Sequence, residues 1–152
     1  MGRVILHMDA NSFYVSVECL YRPALRDKPV SVCGNQKARH GIVLTSNQHS
    51  KRRGVKTGMA IWQARQLCPD LVAVPPDYAL YLHFSRMIRD ICCEYSDRVE
   101  SFGLDECWVD VSSPEADMTS GEALAHTLRT RVKRELGITM SVGVSDNKIF
   151  SK

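Results

Sequence analysis

From residue 77 onward the chain alternates helical and extended patterns in an order that leaves few folds open. Asp77 caps a helix carrying Leu80 or Tyr81, Phe84, Ile88, Ile91 and Tyr95 along one side. Residues 98–102 and 106–111 follow as two antiparallel strands joined by the turn Gly103-Leu104-Asp105. Thr119-x-x-Glu122 reads as a capping box. The helix behind it spaces Leu124, Leu128, Val132 and Leu136 four apart and stops at Gly137, and residues 138–144 form a strand. At the front of the chain, residues 3–8 are apolar, rich in branched side chains and bounded by Asp9, the pattern of a buried strand. The whole reads as β-(insert)-α-β-β-α-β. That is a split βαβ unit, an α+β class with a ferredoxin-like sheet and helices on one face.

The insert, residues 11–77, has its own elements. Asn11 or Ser12 caps a helix to about Tyr21, with Phe13, Val17 and Leu20 inward and Pro23 behind. Strands are expected over 29–33, 41–46 and 72–74, a short basic helix closed by Gly54, and a helix over 59–67 ahead of Pro69. Lys37, Arg39, His40, Lys51, Arg52, Arg53 and Lys56 gather here with no Asp or Glu between Lys37 and Lys56. A net charge of +3 announces no partner, but this distribution suits a phosphate-facing loop and helix as well as a solvated basic face. There is no internal repeat. Asp146 or Asn147 starts a helix still running at Lys152, the pattern of a piece of something longer.

Composition removes several classes. With 44% hydrophobic and 24% charged residues over 152 positions, the chain is neither disordered nor fibrous. No apolar run approaches the ~18 residues of a membrane span, and the N-terminus lacks a secretory cleavage pattern, so a soluble intracellular domain is expected. Six cysteines without any C-x-x-C, two of them adjacent at Cys92-Cys93, read as reduced and mostly buried thiols.

The carboxylates bear on chemistry. A split βαβ sheet sets the ends of its two central strands side by side, which brings Asp9 to the turn at Asp105-Glu106. Like charges gathered at one edge are costly unless a cation lies between them. Two Mg²⁺ ions ~3.5–4 Å apart would supply that cation and would clamp the attacking and leaving oxygens of a phosphoryl transfer. An all-oxygen donor set favours Mg²⁺ or Mn²⁺ over zinc. Helix capping by Asp9 and a solvated Asp105-Glu106 doublet are the plain alternative. Asp110, beyond the turn, reads as structural. Behind Asp9 comes a helix N-terminus, which favours phosphate. Its Phe13-Tyr14 pair reads either as core or as one ring inward and one facing a nucleotide sugar.

Four segments carry a resemblance. HMDANSFYVSVE, RRGVKTGMAIWQARQLCPDL, SFGLDECWVDVS and SVGVSDNKIFSK resemble, in order and spacing, segments of Y-family, translesion DNA polymerases of the DNA polymerase IV type. The resemblance implies a palm, residues 1–10 and 78–152, with small fingers inserted over 11–77, and a thumb and little finger absent from this chain. It implies catalytic, metal-binding carboxylates at Asp9, Asp105 and Glu106, with the carbonyl of Ala10 as a further ligand for two Mg²⁺ ions that Mn²⁺ can replace. Tyr14 matches the steric gate that excludes a ribose 2′-hydroxyl, with Phe13 beside it. Thr45, Gln48 and Lys51 match nucleotide-binding positions in the fingers.

The implied activity is template-directed, error-prone addition of deoxynucleotides to a primer end during damage bypass and repair, in a bacterial cytoplasm at the nucleoid. Partners would be primer–template DNA, deoxynucleoside triphosphates and a sliding clamp engaged through the C-terminal part. Many relatives carry Tyr and Arg where this chain has Gln48 and Lys51, so a guanidinium fork becomes a point charge, with Arg52 or Arg53 as substitutes. Gly103-Leu104 likewise stand where many relatives have Ser and a branched residue. Without thumb and little finger the fragment is expected to hold DNA poorly and to be inactive alone. A palm-like nucleotide cyclase is a rival that Leu104-Asp105-Glu106-Cys107 does not fit. A non-catalytic accessory protein on a polymerase palm is the other, and it would be expected to lack the carboxylates.

Overall fold

The computed structural model describes residues 2–35, 37 and 41–152; Arg39 and His40 of the basic cluster lie outside the described residues. The chain divides into two compact units, residues 1–11 with 82–152, and residues 12–81.

In the first unit the strands are β1 (Ile5–Ala10), β5 (Val99–Phe102), β6 (Glu106–Asp110) and β7 (Met140–Ser145). They form one antiparallel sheet in the order β5-β6-β1-β7, the order of a split βαβ fold. Central β1 pairs with β6 and with β7, so its register fixes both neighbours. Its even-numbered residues Leu6, Met8 and Ala10 are buried. They face the side packed by α4 (Tyr78–Cys93) and α5 (Met118–Leu136), as expected from the period of two. Gly121 of α5 comes so close that a Cβ there would lie 2.6 Å from Val4 Cγ1 and 2.9 Å from Val144 Cγ1.

Two local readings are corrected. The cap of α5 is Asp117, whose carboxylate accepts from the Ser120 N–H at 2.7 Å while Ser120 Oγ accepts from the Asp117 N–H. Aspartate is as good an N-cap as threonine and sits two residues earlier, so the helix starts sooner than Thr119 predicts. Tyr95 lies past the end of α4 and holds Arg131 of α5, its hydroxyl 3.2 Å from Nη1.

Helices are not confined to one face. The short α6 (Lys148–Ser151), capped by Asn147, lies across the odd-numbered face: Trp108 Nε1 donates to the Lys148 carbonyl at 3.4 Å.

The second unit holds α1 (Phe13–Tyr21), a 3₁₀ turn over Pro23–Asp27 that the sequence reading lacks, β2 (Val30–Cys33), β3 (Val43–Ser46), α2 (Gln48–Arg52), α3 (Ile61–Leu67) and β4 (Val72–Val74). Its sheet runs β3-β2-β4, antiparallel then parallel. Cys33, Val43, Val55, Ile61, Ala64, Cys68 and Leu71 make its core. All six cysteines are unpaired thiols, and Cys33, Cys68, Cys92 and Cys107 are buried. Among the described residues no helix is long and apolar enough to cross a membrane.

The seat of α6 depends on Gly143, where an added Cβ would fall 1.6 Å from the Ser151 carbonyl oxygen. Gly143→Ala should therefore lower the unfolding free energy by about 1–3 kcal/mol, the usual cost of overpacking against backbone, read as a lower urea midpoint at unchanged m-value.

Candidate functional site

Antiparallel pairing sets Asp9 of β1 directly opposite Glu106 of β6. Directly opposed like charges weaken a sheet, so this register carries a cost that the backbone hydrogen bonds do not require. Asp105 joins them from the hairpin turn. Gly103 adopts φ 66° there, a left-handed value that suits glycine, and the Asp105 carbonyl accepts from the Ala10 N–H at 2.9 Å. All three carboxylate residues are partly buried at one edge of the first unit. Asp110, by contrast, accepts from the Ser112 N–H at 3.0 Å and faces Arg98, as a structural carboxylate would.

Burial is the leading reason that the Asp9 carboxyl is pushed above its ordinary value; the Glu106 and Asp105 charges add to it, and His7 and Lys152 oppose. Asp105 is raised by the same burial and by Glu106. His7 escapes the sequence reading, although it sits two residues before Asp9 and therefore on the same sheet face. It is 4% exposed, and its Nε2 lies 3.1 Å from Glu106 Oε1, within ion-pair reach but not aligned for a hydrogen bond. Lys152 Nζ stands 3.5 Å from the same oxygen and 4.9 Å above the Phe102 ring.

Among the described residues no three Asp, Glu, His or Cys side chains form a ready-made metal cage. The chemistry of the donors nevertheless fits a hard divalent cation: oxygen only, half-buried, and raised in pKa by burial and by a mutual repulsion that a cation would relieve.

In the second unit the N-terminal end of α1 gathers the other predicted residues. Phe13 is buried in the core, whereas Tyr14 is half-buried and stacks on Tyr81 at 4.4 Å with 10° between the rings. Thr45 Oγ1 accepts from the Val15 N–H at 3.2 Å, and Lys51 Nζ donates to Ser12 Oγ at 2.7 Å. Ser12 itself holds φ 44°, a left-handed conformation uncommon for a residue with a Cβ. Gln48 and Lys51 are exposed on α2.

That helix is tied down by Asn47, a residue absent from the sequence reading. Its Oδ1 accepts from the N–H groups of Ser50 and Val30, both at 3.1 Å, and its Nδ2 donates to the Lys28 carbonyl at 2.6 Å. The Asn before a basic helix was its available signal. Of the two arginines expected from the sequence to stand in at position 51, Arg53 is committed to Asp70 and to Cys68 Sγ, while Arg52 is exposed.

Residues 8–152 match the model of the impB/mucB/samB family, and the chain belongs to that family. It is 57% identical to a DNA polymerase IV of Acetivibrio thermocellus over 152 residues, all of this chain and 38% of that protein. A DNA polymerase IV 1 of Bacillus subtilis is 43% identical over 151 residues, 99% of this chain and 36% of that protein. The chain thus spans under two-fifths of the length of these curated relatives. Among solved structures it is similar to DinB from Sulfolobus solfataricus, with TM-score 0.91 and 30% identity over 97% of this chain and 43% of that one. An insertion ternary complex of Dbh DNA polymerase matches with TM-score 0.91 at 30% identity, covering 97% and 44%.

The raised carboxyls fix a pH dependence. A folded-state pKa above the unfolded value means that the folded chain holds more protons just above pH 3.8, so stability falls as pH rises through that window. Without divalent metal, Asp9→Asn should melt at a higher temperature than the parent at pH 7. The gap should close as pH drops through the folded pKa, read by circular dichroism; a parent that melts higher at pH 7 would refute the charge strain.

Proposed function

We propose that this member of the family supplies the palm and fingers of a translesion DNA polymerase, an enzyme that extends a primer on a damaged template. What carries the reading is the opposed pair Asp9 and Glu106 with Asp105 at the adjoining turn, a half-buried cluster whose mutual repulsion His7 and Lys152 only partly oppose. The relatives named DNA polymerase IV and the Dbh ternary complex support the same activity. We read residues 1–10 and 78–152 as the palm and 11–77 as the fingers.

Asp9, Asp105, Glu106 and the Ala10 carbonyl would hold two Mg²⁺ ions, or Mn²⁺ in their place. Such ions, when bound, lower the pKa of a primer 3′-hydroxyl and neutralise charge on a triphosphate. The chain's own residues do the positioning. Tyr14 limits the sugar to deoxyribose, with Phe13 fixing the helix beneath it. Thr45, Gln48 and Lys51 meet the triphosphate, Lys51 as a point charge rather than a fork. Asn47 keeps α2 in place for that contact, and His7 and Lys152 moderate the carboxylate charge. No covalent nucleophile is needed, so the six thiols take no part.

Primer–template DNA and deoxynucleoside triphosphates are the partners of the whole protein, with a sliding clamp as a further partner, in a bacterial cytoplasm. In the native-length protein, Asp105→Ala should reduce primer extension with Mg²⁺ by more than about 100-fold, because even groups that only support a metal ligand are worth 10–100-fold. Primer–template binding without metal should stay within about threefold, since phosphate contacts rather than this carboxylate hold DNA. Extension by the variant at the parent's rate would end the proposal, and an inactive but DNA-binding parent would favour the accessory-protein reading.

A further inference from the structure

We infer that Glu18 is a positioning residue for sugar selection, acting through the hydroxyl of Tyr81 on the ring of Tyr14; the inference rests on the reading of Tyr14 as the sugar gate. Glu18 is 5% exposed, an expensive place for a carboxylate. It is held there by two partners. Oε2 accepts from Arg22 Nη2 at 2.9 Å, one helical turn on, and Oε1 accepts from the Tyr81 hydroxyl at 2.7 Å. The cost of burying the charge is offset by these two partners, and removing either would leave it partly uncompensated.

Tyr14 and Glu18 stand one turn apart on α1 and so share a face. Tyr81 lies across both, its ring stacked on Tyr14 and its hydroxyl on Glu18. Tyr81 is fully buried, so this two-point attachment leaves it no alternative position. Tyr78 meets the Tyr14 ring edge-on at 5.9 Å and 87°, and Phe13 lies 5.9 Å away at 51°. The gate ring is therefore confined by three aromatic neighbours, and the one stacked on it is fixed by a buried carboxylate. Burial holds the Tyr81 phenol above its ordinary value, with the Glu18 carboxylate adding to the effect, so it remains a donor at physiological pH.

Excluding one hydroxyl depends on where a ring edge stands to within a fraction of an ångström. A deoxyribose makes no such demand. Releasing the Tyr81 hydroxyl should therefore admit ribonucleotides without much changing the use of deoxynucleotides.

The test is single-nucleotide primer extension by the native-length protein, giving kcat/KM for a deoxynucleoside triphosphate and for its ribo counterpart. Tyr81→Phe keeps ring and volume and loses only the hydroxyl, which protects the fold. It and Glu18→Ala should each reduce sugar discrimination on the order of tenfold, with deoxynucleotide kcat/KM within about threefold of the parent. Glu18→Gln, whose amide oxygen can still accept, should retain most of the discrimination. Equal losses on both sugars, or unchanged discrimination in Tyr81→Phe and Glu18→Ala, would overturn the inference. Tyr14→Ala separates the two readings: if it abolishes discrimination while the Glu18 and Tyr81 variants do not, the gate stands and the inference falls. If Tyr14→Ala leaves discrimination intact, the gate reading fails and takes the inference with it.

Discussion

The repulsion between Asp9 and Glu106 across the β1–β6 pair is the constraint on which the first unit turns. A slip of one residue in that register would turn Asp9 toward the side of Leu6 and Met8, both of them buried. Two devices hold the register. Central β1 is paired on both sides, and Gly103 lets the hairpin turn close so that the Asp105 carbonyl can accept from Ala10. The sheet thus keeps three carboxylates together against their own electrostatics, with His7 and Lys152 offsetting part of the charge.

Most of this was legible because it is periodic. Apolar strands bounded by turn residues and helices with apolar residues four apart are local signals, so the order β-(insert)-α-β-β-α-β could be read directly, and the edge at Asp9 and Asp105-Glu106 followed from that topology rather than from the carboxylates themselves. Sites that depend on a partner distant in sequence were harder. His7 reads as one more residue of an apolar strand until β6 brings Glu106 beside it. Asn47 escapes the sequence reading, and beyond capping α2 it joins that helix to Val30 and Lys28. Competition between nearby caps misled at Thr119, because Asp117 and Ser120 make the same reciprocal bonds two residues earlier. The placement of α6 on the odd face follows from a glycine whose missing side chain no propensity scale records.

The two units separate two physical tasks. A sheet edge is suited to holding acidic groups at fixed spacing, since paired backbones keep carboxylates from moving apart. A helix N-terminal end is suited to selecting a ligand by shape and phosphate charge, since side chains one turn apart can be clamped together. In the second unit that end is braced three ways: Thr45 bonds the Val15 N–H, Lys51 reaches Ser12, and Tyr81 bridges Tyr14 and Glu18.

That bracing also bears on Lys51, at a position where the family resemblance implies an arginine. A guanidinium would bind a phosphate through two parallel bonds, and the orientation of the arginine would be fixed by the ligand. Lysine offers no such fork, and here its ammonium is oriented by the chain instead, through Ser12 Oγ at 2.7 Å. Ser12 holds a left-handed φ of 44° while its hydroxyl accepts from that ammonium, so the start of α1 and the lysine of α2 meet in one arrangement. The positive charge stays beside a helix N-terminal end that already favours anions, and the two attractions add at one place. In place of bidentate geometry the lysine has a preset position for its charge.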